Sequence, residues 1–149
     1  MSDTDDFPNF GGIDGSTWQV LAESARQVRD HAYVPYSDFP VGAAILTPGD
    51  HVSTGCNVEN ATIGATVCAE RGAISDVVAK GHREIKALCV VTDVSPPSAP
   101  CGICRQVLAE FCDDLPILMI NPHGESRFTT LDDLLPMRFS GRDFNEPTD

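Results

Sequence analysis

Lysine is almost missing from this chain. Of its ten basic residues only Lys80 and Lys86 are lysines, against 22 acidic residues, and the formal net charge is −12 over 149 residues. A surface this acidic repels phosphate backbones, which argues against a nucleic-acid partner. Also missing is any run of about 18 apolar residues, so no membrane span is expected. The first six residues, Met1-Ser2-Asp3-Thr4-Asp5-Asp6, hold no apolar signal core, and a cytoplasmic location is expected. In a reducing compartment the six cysteines read as ligands or core thiols rather than disulfides. No internal repeat is present, and the length fits one domain with a useful core.

What is there is a set of cysteines with metal-ligand spacing. Pro100-Cys101-Gly102-Ile103-Cys104-Arg105-Gln106 holds a C-x-x-C pair. Cys68-Ala69-Glu70-Arg71 adds a third cysteine with a glutamate two residues on. A C-x-x-C alone suits a structural or a redox pair equally. Three thiolates without a fourth protein ligand instead leave one zinc position open, as catalytic sites do. Glu70 is too close to Cys68 to be an independent ligand, but it can reach a water at that open position. The histidines at 31, 51, 82 and 123 share no spacing with the cysteines, and Cys56, Cys89 and Cys112 read as inert core thiols.

The hydrophobic pattern places these motifs on elements. Residues 1–15 read as a flexible acidic tail outside the core, and 16–149 as the single domain. Ser16, with Gln19 three residues on, reads as a capping box opening a helix whose apolar stripe is Leu21, Ala25, Val28 and Ala32. Val41 to Thr47 and His51 to Asn57 form a hairpin around Pro48-Gly49-Asp50. A second helix starts near Thr66 and stops at Gly81. Ile85 to Asp93 is a strand, Gly102 to Cys112 a third helix, Pro116 to Asn121 a strand, and Arg127 to Leu131 the last strand before a helical turn. The order α-β-β-α-β-α-β-β predicts a mixed sheet covered by helices, and the short turn after Asn121 predicts an antiparallel last pair. All three cysteines then fall at helix starts, where free N–H groups favour thiolates.

Glutamate beside one cysteine, followed by Pro-Cys-x-x-Cys, resembles the zinc deaminase signature. The likeness narrows to the small, three-cysteine, homotetrameric cytidine deaminases. It extends to Pro35-Tyr36-Ser37-Asp38-Phe39-Pro40-Val41-Gly42-Ala43-Ala44, Gly55-Cys56-Asn57-Val58-Glu59-Asn60-Ala61 and Leu134-Leu135-Pro136-Met137-Arg138-Phe139. Four motifs in order span roughly residues 16 to 140. The resemblance implies a three-layer α/β/α fold with about five strands and one Zn²⁺ per subunit on Cys68, Cys101 and Cys104. It implies deamination of cytidine and 2′-deoxycytidine by zinc-activated hydroxide at C4, in pyrimidine salvage. It makes Glu70 the proton carrier and assigns Asn57 and Glu59 to the ribose hydroxyls. Phe39 and Phe139 would meet the pyrimidine, the second from a neighbouring subunit of a homotetramer. The backbone at Ala69 and Pro100 would meet the base edge and the departing amine. Of Arg71 and Arg105, the resemblance points to Arg71 as the donor to the thiolates. Ile63 departs from the usual tyrosine, which takes a hydrogen-bonding group from the 5′ side of the sugar. Two rival readings are a relative acting on a nucleoside antibiotic and a non-catalytic, zinc-stabilised binding module; the intact Glu70 disfavours the second.

Scarce lysine with abundant aspartate also resembles proteins adapted to high salt, where counter-ions screen self-repulsion. The melting temperature is therefore expected to rise from low salt to about 1 M NaCl, where the Debye length falls to roughly 3 Å. A thermal melt independent of NaCl concentration contradicts this.

Overall fold

The computed structural model describes residues 6–145. Five strands, β1 (Gly42–Thr47), β2 (His51–Cys56), β3 (Ala87–Val91), β4 (Pro116–Ile120) and β5 (Ser126–Thr130), form one sheet in the order β2-β1-β3-β4-β5. Only β3 and β4 run parallel; the other pairs, β4–β5 included, are antiparallel as expected. Helices α1 (Gly15–Arg29), α2 (Ala69–Ala79) and α3 (Gly102–Ala109) cover the sheet, and α4 (Leu131–Leu134) and α5 (Arg142–Asn145) follow it.

The three layers follow from the period-2 pleat of strands buried on both faces. Ala43 and Ile45 of β1 join Leu88, Val90, Ile117 and Met119 against Ala73, Ile74 and Val77 of α2 and Leu108 of α3. Ala44 and Leu46 point the other way, with Cys89, Val91, Leu118 and Ile120, and meet Trp18, Leu21, Ala22 and Ala25 of α1. The α/β/α architecture inferred from the sequence is the one observed.

The N-terminal expectation needs correction. Residues 1–5 lie outside the described residues, but from Phe7 onward the chain is not a loose tail. Phe10 and Ile13 exchange two backbone hydrogen bonds, 2.9 and 3.0 Å, around Gly11-Gly12, whose φ angles are +61° and +78°. That left-handed turn folds the segment back, and Phe7, Phe10 and Trp18 all pack against Phe128 of β5. Three apolar side chains, Phe7, Phe10 and Ile13, have more to gain from the core than the acidic residues before them lose. The helix cap shifts too. Asp14 Oδ1 accepts from Thr17 N and from Ser16 Oγ, each at 2.8 Å, so the cap is Asp14 rather than Ser16. A carboxylate serves that position as well as a hydroxyl and gains from the helix dipole. At its other end α1 stops at Arg29, well before Pro35. The 3₁₀ turn at Ile63–Ala65 and helix α5 have no counterpart in the sequence reading, being too short to show a hydrophobic period.

One end of the sheet gathers the loops that matter. The register pairs Gly42 with both Cys56 and Val91, and Val91 with Ile120. The segment entering β1, the segment leaving β2 and the loop leaving β3 therefore emerge together, and α2 and α3 begin there. This is the carboxyl edge of the parallel pair, where open α/β sheets build their sites. α2 is pressed onto β2 at Gly55: a Cβ there would lie 2.3 Å from Ala73 N and 2.4 Å from Ala69 O. Backbone cannot yield as a flexible side chain can. Gly55→Ala is expected to cost about 1–3 kcal/mol and to lower metal retention by moving the start of α2. Urea unfolding together with metal analysis checks it, and wild-type values in both would refute it.

Candidate active site

Helices α2 and α3 each begin with a cysteine in extended conformation, Cys68 (φ −71°, ψ 155°) and Cys101 (φ −67°, ψ 167°). Neither side chain caps its own helix. Both sulfurs are thus left for another partner, in the positive field of a helix start. Two of the three cysteines lie at the cap itself, one position earlier than the first turn expected from the sequence. Cys104, in the first turn of α3, sits 3.4 Å from Cys101 across the spacing that a capping box uses.

The sulfurs of Cys68, Cys101 and Cys104 all lie within 4.8 Å of one another. Tetrahedral zinc with bonds of about 2.3 Å sets sulfur atoms about 3.8 Å apart, so the donor set fits zinc with one position left open. Among the described residues no imidazole or carboxylate joins the three sulfurs. The two candidate arginines separate cleanly. Arg71 Nη2 donates to Cys68 Sγ at 3.3 Å and to Thr66 O at 3.2 Å. Arg105 turns away, donating to Pro100 O at 2.8 Å and Leu134 O at 2.9 Å. It anchors the loop before α3 rather than the thiolates.

Charge is distributed unevenly here. Hydrogen bonding from the Cys104 thiol, aided by Arg71, holds the Cys68 thiol down to about 5. The same bond, with burial, pushes Cys104 up. Thiols that bind a dication give up their protons on binding. Glu70, in the first turn of α2, is only 4% exposed. Burial pushes its carboxyl above the ordinary carboxylate range, and the Cys68 thiolate adds to the push. A carboxyl that holds its proton more tightly than usual suits an acid–base role. Cys112, by contrast, is pushed up to about 11 by burial, and Cys89 is buried in the core, so both are unreactive thiols.

Beside the cysteines lies a cavity of about 310 Å³ lined by Tyr36, Ser37, Glu59, Ile63 and Thr66. Arg71 connects the two regions, since its guanidinium bonds both Thr66 and Cys68. Glu59 Oε1 accepts from Tyr36 N at 2.9 Å and Ser37 N at 3.1 Å. The Ser37 hydroxyl and these amides hold the Glu59 carboxyl below its usual range. Asn57 is placed otherwise than its expected sugar contact suggests. Its Oδ1 accepts from Val41 N at 2.9 Å and its Nδ2 donates to Phe39 O at 2.8 Å, so each end of the amide already serves the loop before β1. Phe39 keeps 36% of its surface exposed. Ala69 and Pro100 are buried at the starts of α2 and α3, with the Pro100 carbonyl already accepting from Arg105. Phe139 is not brought to this cavity within one chain. It lines a larger one, about 920 Å³, shared with Gln106, Glu110 and Arg138 and with none of the three site cysteines. Tyr36 and Ser37, quoted from the sequence only within a motif, and Thr66, named only as a helix start, line the cavity without having been given a role there. They contribute through loop geometry, which residue type does not reveal.

Comparison with known proteins agrees with this geometry. Residues 16–119 match the family model for the cytidine and deoxycytidylate deaminase zinc-binding region. The chain is 47% identical to a cytidine deaminase of Sporosarcina psychrophila, over 85% of this chain and 93% of that protein. It is 44% identical to one of Halalkalibacterium halodurans, over 86% and 98%. The crystal structure of a cytidine deaminase from Burkholderia pseudomallei superposes with a TM-score of 0.78 at 45% identity, covering 80% of this chain and 97% of that one.

Serine in place of Cys101 keeps the size of the side chain but offers a hydroxyl that stays protonated at neutral pH. Cys101→Ser is expected to retain less than about a tenth of the wild-type zinc after dialysis. Metal analysis decides it; full zinc in the variant removes Cys101 from the site.

Proposed function

The chain belongs to the cytidine and deoxycytidylate deaminase family, and from that premise we propose that it hydrolyses cytidine and 2′-deoxycytidine. The products are uridine or 2′-deoxyuridine and ammonia, a step of pyrimidine salvage in the cytoplasm. The observation that carries the reading is Glu70, a buried carboxyl with a raised pKa at the same helix start as one of three converging sulfurs.

Cys68, Cys101 and Cys104 would hold one zinc ion per subunit, which when bound would acidify a water for attack on C4. Glu70 does the proton work. It takes one proton from the attacking water and passes it to N3 of the ring, then takes the second from the resulting C4 hydroxyl and delivers it to the leaving amine, so the C4–N bond breaks as ammonia departs and a C4 carbonyl remains. Its burial matters because a carboxylate that is too acidic cannot return the proton. Arg71 draws charge from the Cys68 sulfur, offsetting the excess negative charge of three thiolates on a dication.

Binding falls to the neighbouring cavity. Glu59, with Oε1 committed to the loop, accepts from a ribose hydroxyl through its other oxygen, and Asn57 has one amide N–H left to give the sugar. Phe39 lies against the pyrimidine face. The backbone at Ala69 and the second lone pair of Pro100 O meet the base edge and the departing amine. Ile63, without a polar group, leaves the 5′ side of the sugar unbonded. Phe139 completes the site of a neighbouring subunit in a homotetramer. The exposed apolar side chains of Ile103, Met137, Phe139 and Phe144 support association. The deaminase domain takes in the packed segment from Phe7 onward, and the acidic surface suits work at high salt.

Glu70→Gln keeps shape and polarity but cannot accept and return a proton. Zinc content and fold are expected to survive while kcat for cytidine falls by at least about 10⁴-fold, the upper end for acid–base catalysis. Wild type is expected to turn over cytidine and 2′-deoxycytidine and to leave cytosine and cytidine monophosphate unchanged. A loss below tenfold in zinc-replete Glu70→Gln, or a wild type inactive on both nucleosides, overturns the reading.

A further inference from the structure

The segment Phe39-Pro40-Val41 enters β1 at the site end of the sheet, and every backbone polar group it owns is taken. Phe39 N donates to Ser37 Oγ at 3.1 Å. Phe39 O accepts from Asn57 Nδ2 at 2.8 Å. Pro40, which has no N–H, offers its carbonyl to Arg29 Nε at 3.3 Å. Val41 N donates to Asn57 Oδ1 at 2.9 Å, and Val41 O accepts from Asn57 N at 3.3 Å. Four of these five bonds come from side chains, and three of the four from Arg29 and Asn57.

Such thorough pinning is unusual for a loop whose central side chain is partly open to solvent. Two further features show that the segment is held in place. Asp38, just before it, has φ +53°, a left-handed conformation that persists only where its surroundings impose it. Arg29 is itself oriented by an ion pair with Asp93, beyond the end of β3. Exposed pairs of this kind add little stability. Here the pair aims a guanidinium from α1, on the far side of the sheet, at the loop. Arg29 and Asn57 thus grip the segment from two different elements.

We infer that Arg29 and Asn57 are positioning residues that fix the Phe39 ring for the base of the substrate. The inference rests on the functional reading above for the identity of that base, while the grip itself is a property of the free protein. Asn57 then contributes to the reaction through Phe39 in addition to any bond it makes to sugar. Arg29 contributes only through the loop.

The test takes Arg29→Met and Asn57→Ala, each in the wild-type and in the Phe39→Ala background, with cytidine and 2′,3′-dideoxycytidine as substrates. Each variant is expected to raise KM at least about fivefold with kcat within about twofold and zinc content unchanged. The Asn57→Ala loss is expected to persist with the dideoxy substrate, which has no 2′- or 3′-hydroxyl to bond. In the Phe39→Ala background, Arg29→Met with either substrate and Asn57→Ala with the dideoxy substrate are each expected to add less than about twofold, as coupled positions do. Full effects in those combinations, or an Asn57→Ala loss that vanishes with the dideoxy substrate, overturn the inference. Amide exchange of residues 33–41 reads the grip without any substrate. Both variants are expected to speed it at least about tenfold, and unchanged exchange refutes the grip even if the enzyme proves to act on another substrate.

Discussion

Everything at the site depends on two helices starting at one end of one sheet. Cys68 and Cys101 are cap residues of α2 and α3, and their sulfurs meet because both helices are pinned at their bases. For α2 the pin is Gly55, against which the helix backbone lies too close for any side chain. For α3 it is Arg105, which ties Pro100 and Leu134 together behind the cysteine pair. The approach of the three sulfurs is enforced by the packing of Ala73, Ile74, Val77 and Leu108 against the sheet. The hydrophobic layer thus sets the geometry and the metal would exploit it, with coordination returning free energy to the fold.

Burial then sorts the acid–base chemistry. Glu70 and Glu59 are both glutamates near the site, yet their environments drive them apart. Glu70 has little solvent and a thiolate nearby, so its proton is held more tightly. Glu59 is half-buried and bonded by two amides and the Ser37 hydroxyl, so its proton is lost more readily. One carboxyl suits proton transfer and the other suits accepting a hydroxyl, and the difference comes from surroundings rather than residue type.

The loops around the cavity show a second economy. Residues 57–59 lie beside residues 33–41, with Tyr33 and Val58 bridged as a short parallel pair. Asn57 and Glu59, two residues apart in extended chain, both send side chains into that neighbouring loop. The Asn-Val-Glu spacing therefore serves to hold the 33–41 loop, apart from the ligand contact proposed for it. A motif recognised for binding is at the same time a structural staple.

The sequence by itself determined the chemistry. A Cys-x-Glu and a Cys-x-x-Cys picked out the three sulfurs that the fold brings together and the acid–base candidate beside them, because coordination and proton transfer depend on residue type. Periodicity determined the order of the long elements, because burial must follow the pleat and the helical turn, and the short turn after Asn121 determined the antiparallel last pair, because a parallel one needs a longer crossover. Tertiary structure decided what depends on distant partners. It chose Arg71 over Arg105 for the thiolate, since two arginines beside cysteines look alike until their reach is known. It turned the amide of Asn57 into the loop, moved the cap of α1 to Asp14, and drew Phe7, Phe10 and Ile13 onto Phe128 and the α1 face. Each of these is a contact between segments that are neighbours only after folding, and local sequence carries no signal for the side chain waiting on the other side.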